Sequence, residues 1–140
     1  KQTNSSMSEK LVTVLKYMCA PMALAGTGAI LMGTGIIPLD QGVVNIAEIF
    51  IGPLNIPVKP FLVVLGVSKM FGVSKLSFGI GPMPRSVALG GLTLAATCAT
   101  IGHFKLDETM QAVAAFGTVV SLGIIAMFDT NDNKEEKKEN

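Results

Sequence analysis

Few residues in this chain can do chemistry, and they are thinly spaced. His103 is the one histidine, followed closely by Lys105, Asp107 and Glu108. A metal held by side chains needs three or four ligands, and no His/Cys cluster is available to supply them. A lone imidazole can give one bond to a chlorophyll magnesium, or donate to a lipid or quinone. The simpler expectation is an interfacial histidine without a ligand. Glu48 is the second candidate pigment ligand, with Asn45, Gln41 and Gln111 weaker still. Cys19 and Cys98 both lie in apolar runs without a CxxC pattern and read as small buried hydrophobes. No serine, histidine and acid stand in a spacing that suggests nucleophilic catalysis. Lys16 and Lys69 are the charges closest to apolar segments, and together with Glu48 they form no convincing proton path.

The elements that must position these residues are unusually apolar. The 140 residues are 49% hydrophobic and only 15% charged, with mean hydropathy +0.54. Soluble domains carry about 25% charged residues, so this chain has too little polar material for an ordinary water-facing surface. A net charge of +1, with eleven bases against ten acids, leaves no basic stripe for nucleic acid. Four apolar segments stand out, over about 11–36, 60–76, 86–103 and 111–128. The first is about 39 Å long as a helix, enough to cross a hydrocarbon core of roughly 30 Å. Pro21 should kink it, and Ser5, Ser6 or Ser8 can cap its start. The next segment is short for a span, with about 14 residues over 60–73 before the next lysine and glycine; it either extends through Leu76 or runs partly between other helices. The last two contain no Asp, Glu, Lys or Arg. The expected fold is all-α: a polytopic transmembrane four-helix bundle, with residues 1–10 a polar N-terminal arm, 11–128 the membrane domain and 129–140 a charged tail.

Residues 37–59 make a long connection. Gly42–Phe50 within it reads as a short amphipathic helix at the membrane interface, a cover for the bundle or a docking surface for a neighbour. Four spans put both termini and the 77–85 turn on one side, with nine lysines and arginines against two on the other. That count takes Lys16 and Lys69 as membrane-interface charges, although Lys69 either reaches a headgroup region or is paired internally, and it turns both ends toward the cytoplasm, stroma or matrix. Tyr17 fits an interface anchor beside Lys16. Small residues recur every four positions at Ala25, Ala29 and Gly33, at Gly91, Ala95 and Ala99, and at Gly117 and Ser121. Such faces let helices approach closely in lipid, within the bundle or against another subunit. Thr93, Thr97 and Thr100 are expected to bond to carbonyls of their own helix or to neighbours.

Residues 61–128 resemble the DoxX-like family of small four-helix membrane proteins. The likeness is carried by Gly66–Val73 (GVSKMFGV), by the proline-bearing turn before Arg85, and by a small-residue third helix ending in Gly102–Lys105 (GHFK). It implies a four-helix membrane fold and, from some relatives, quinone-linked redox chemistry, with Lys69 and His103 the positions it singles out. The 40–57 excursion and the charged tail depart from a minimal member. The start of the chain, its many lysines and its single arginine also resemble a nuclear-encoded plastid protein. Small subunits of this kind sit at the edge of red-lineage algal photosystem I beside fucoxanthin–chlorophyll antennae. That resemblance implies a thylakoid location, light-harvesting proteins and other membrane subunits as partners, and chlorophyll, carotenoid or lipid as bound groups.

The functional expectation is a non-catalytic accessory subunit of a multisubunit membrane complex. The alternatives are a DoxX-like redox component using Cys19, Cys98, Lys69 and His103, and a small transporter. The transporter is disfavoured because the helices carry few charges to line a path.

Overall fold

In the computed structural model, the backbone is described for residues 2–136 and the side chains for 9–128. The described chain is helical throughout: α1 (Gln2–Met18), α2 (Ala20–Thr34), α3 (Gln41–Ile51) with a 3-10 turn at Gly52–Leu54, α4 (Val58–Phe78), α5 (Arg85–Lys105) and α6 (Thr109–Glu136). No strand occurs among the described residues. Among the described residues four stretches are long and apolar enough to cross a membrane: Glu9–Thr34, Val58–Phe78, Arg85–Lys105 and Thr109–Phe128. At 1.5 Å per residue they measure about 30–39 Å. The short apolar helix between the first two spans is α3.

α1 and α2 together form the first span, broken where Pro21 requires it. Proline has no N–H to give, and its ring crowds the carbonyl four residues earlier, that of Tyr17. The chain therefore steps through Cys19 on three-residue bonds, Cys19 N–H to Lys16 O at 3.2 Å and Met22 N–H to Cys19 O at 3.0 Å. The helix also runs further back than its polar composition suggests. α1 starts at Gln2, so the expected N-terminal arm is helical, and Ser5, Ser6 and Ser8 lie inside the helix rather than capping it. At the other end of the chain α6 continues to Glu136, through most of the expected tail, while 137–140 lie outside the described residues.

α4 exceeds the expected 60–76 by two residues at each end. It runs straight through Gly72 and Lys75 and stops at Gly79, whose φ of +72° is the left-handed conformation open to a residue without a side chain. Lys75 Nζ then donates to the carbonyls of Gly79 (3.2 Å) and Gly81 (3.4 Å), bracing the tight turn into α5.

The main core draws on all four spans: Leu15 and Cys19, Val73 and Leu76, Leu92 and Ala96, Leu122 and Ile125. It sits where α1 packs on α6. Beyond the break at Cys19 the packing changes. α2 lies along α4 and makes no close backbone approach to α5 or α6, although Met22 and Ala23 at its start still pack against the main core. α3 folds back over the far end and packs on α5 and α4. Only 22% to 28% of the residues in the most apolar stretch of each span are buried inside the chain, so most of them keep surface that faces outward.

Candidate functional site

The α3 end of the bundle gathers the most polar groups. Asp40 caps α3, its Oδ1 accepting from Val43 N–H at 3.1 Å. Gln41 Nε2 donates to Asn45 Oδ1 at 2.9 Å one turn on. α3 sits tightly on α5 because Gly102 has no side chain: a β-carbon there would lie 2.7 Å from Ile46 Cγ2. The next residue, His103, is thereby held at the membrane end of α5, where its Nδ1 lies 2.6 Å from Glu108 Oε2. Glu108 N–H also donates to His103 O at 2.9 Å. The pair therefore clamps the α5–α6 turn, which is tight enough to put Asp107 at φ +57°. With Nδ1 engaged, Nε2 is the nitrogen left for a ligand. An open depression of about 380 Å³ lies at the same end, lined by Met32, the Gly35–Leu39 loop and Lys59.

The two pigment-ligand candidates are not brought together. Ile46 faces α5, and Glu48, two residues and roughly 200° further round α3, is exposed on its other side. Among the described residues no hydrogen bond or ion pair joins Glu48 to His103. No three His, Cys, Asp or Glu side chains converge on a metal position among the described residues. Cys19 is buried, its Sγ 3.5 Å from Leu15 O, and Cys98 is half-buried on α5; both are free thiols.

Lys16 is half-buried late in α1, its backbone carbonyl accepting from Ser77 Oγ at 3.2 Å, with Tyr17 exposed beside it. Lys69 falls near the middle of α4, the twelfth of its 21 residues. It also lies on the inward stripe with Leu62, Gly66, Val73 and Leu76, all buried, and is itself half-buried.

The small-residue faces divide. α2 meets α4 through Gly26, Ala29 and Gly33, not Ala25, which is exposed. The crossing is backbone on backbone. A β-carbon on Gly26 would stand 2.9 Å from Gly66 O, and one on Gly33 would stand 2.6 Å from Lys59 O. On α5 the buried positions are Ala88, Leu92 and Ala96; Gly91 is exposed, and Ala95 and Ala99 are half-buried. On α6 Ser121 is buried and bonds to Gly117 O at 2.9 Å, whereas Gly117 itself faces out. Nothing lies within 4 Å of where a β-carbon of Gly91 or Gly117 would be. Thr93, Thr97 and Thr100 each return a hydrogen bond of 2.8–2.9 Å to the carbonyl four residues back. Comparison of the chain with protein-family models, with curated proteins and with solved structures gives no match.

Proposed function

We propose that this chain is a non-catalytic accessory subunit of a larger membrane complex, filling space between other membrane subunits and holding them, with their lipids or pigments, by packing. The observation that carries this reading is the outward aim of the glycines on α5 and α6. Gly90, Gly91, Gly117 and Gly123 are exposed and have nothing within 4 Å of the would-be β-carbon, so they serve no contact inside the chain. A glycine costs a helix about 1 kcal/mol relative to alanine, and in lipid its usual return is the close approach of a second helix. The finer form of the proposal places the complex at the edge of a photosystem with its antenna proteins in a thylakoid. It rests on the resemblance of the sequence to small nuclear-encoded plastid subunits, and chlorophyll at His103 Nε2 belongs to the same finer form.

The test is mild-detergent extraction of the native membrane, native gel separation, mass spectrometry of the band containing the chain, and an absorption spectrum of that band. Comigration with a much larger complex is the expected result, and chlorophyll in the band would carry the finer form. A small, colourless band containing this chain alone overturns the proposal.

A further inference from the structure

The mid-span position of Lys69 calls for a negative charge that the four spans of this chain do not supply at its depth. Lys69 lies nine residues from Phe78 and eleven from Val58, so its Cα is about 14 Å and about 16 Å from the two ends of α4. A lysine stem reaches roughly 6 Å and leans toward the N-terminal end of its helix, here the more distant one. Its ammonium therefore falls short of either headgroup layer. It makes no hydrogen bond or ion pair among the described residues. No fully enclosed side-chain nitrogen or oxygen lacks a partner there either, so Lys69 Nζ keeps open surface. The fold is consistent with that opening: α2 covers Lys69 at Gly26, whose would-be β-carbon lies 3.2 Å from Lys69 Cβ, but α2 makes no close backbone approach to α5 or α6.

Inside the four spans the chain has one acid, Glu9, and it sits at the extreme end of the first. A second copy of the chain therefore has no carboxylate at the depth of Lys69. Buried membrane charges are costly and are found paired. We infer that the α2–α4 face at Lys69 is a docking surface for a membrane-spanning helix of a different subunit, one that carries an Asp or Glu at mid-depth opposite Lys69. The inference rests on the accessory-subunit reading and names the chemistry of the contact.

Two measurements on the native complex test it. The first treats native membranes with a hydrophobic carbodiimide, which joins an amine to an adjacent carboxylate as an amide and takes up the water lost as a urea. The expected product is Lys69 joined to an Asp or Glu within an apolar segment of another protein. Lys69 recovered wholly uncoupled from an intact complex overturns the inference. The second expresses Lys69→Met and Lys69→Arg in place of the wild type. Lys69→Met should lower the fraction comigrating with the complex at least tenfold, while Lys69→Arg retains it and the isolated Lys69→Met chain unfolds in detergent no earlier than wild type. Wild-type comigration by Lys69→Met overturns the inference and leaves the accessory reading standing. So does a fatty acid or anionic lipid that copurifies with the wild type and is lost from Lys69→Met, because it assigns the counter-charge to lipid. Wild type that runs alone removes both readings together.

Discussion

Gly66 has the carbonyl of Gly26 and the side chain of Ile30 where a β-carbon would stand, with Ile30 Cγ1 at 2.7 Å and Ile30 N at 3.1 Å. Two of those three neighbours are backbone and cannot rotate away. Gly66→Ala must therefore push α2 off α4, and overpacking of this kind costs about 1–3 kcal/mol. Gly117→Ala meets nothing within 4 Å and removes a helix-weakening glycine. Thermal unfolding of the two variants in the same detergent should show a clear fall in Tm for Gly66→Ala and no fall for Gly117→Ala. Equal falls would mean that the α2–α4 crossing is not held by backbone contact. The sequence shows that small residues are abundant, but not which stripe packs. A strict four-residue repeat drifts about 40° round the helix at each step, whereas alternating steps of three and four stay on one face. Gly26, Ala29 and Gly33 follow the second pattern and make the contact; Ala25 belongs to the first and stays exposed. The His103–Glu108 pair is equally hidden in the sequence, since residues five apart meet only because the turn at Asp107 folds them together.

At the scale of elements, α3 is the part most dependent on a single side chain. Its eleven residues are too few to be stable alone in water, and it holds its place by the Asp40 cap and the seating of Ile46 over Gly102. Asp40→Ala removes the acceptor for Val43 N–H, a loss of about 1 kcal/mol at a helix start. Amide exchange should rise across the first turn of α3 and stay unchanged in the four spans. Faster exchange throughout the bundle would show instead that α3 is part of the global fold. This helix is legible in the sequence because its apolar residues recur with helical spacing between Asp40 and a run of prolines. α4 is legible to within two residues at each end, 60–76 against the observed Val58–Phe78, but its packing is not: Gly72 is where Leu92 of α5 packs, 3.0 Å from the would-be β-carbon, and Lys75 turns back to brace the following loop. The kink at Pro21, by contrast, follows from covalent structure and needs no tertiary information.

For the whole molecule, four spans force a topology that charge alone supports less fully than the sequence suggests. Lys69 lies within the Val58–Phe78 span, and leaving it out of the side count gives eight lysines and arginines against Lys59 and Lys105. The bias survives because it rests on the chain ends and the 77–85 turn, with Lys75 and Arg85 flanking that turn. The α2–α4 excursion and the α5–α6 turn must then share the opposite side, where α3 already packs on α5. Native Cys19 is buried and Cys98 lies within a span, so both can be left in place while single cysteines are added at exposed ends of helices. In sealed, oriented vesicles, Ser86→Cys and a cysteine at Lys10 should react with a membrane-impermeant maleimide from one side. Lys105→Cys and Leu39→Cys should react only from the other. If Ser86 and Lys105 label from the same side, α5 does not cross, and the mid-membrane depth assigned to Lys69 falls with it, because α4 and α5 are joined by a turn too short to be reoriented independently.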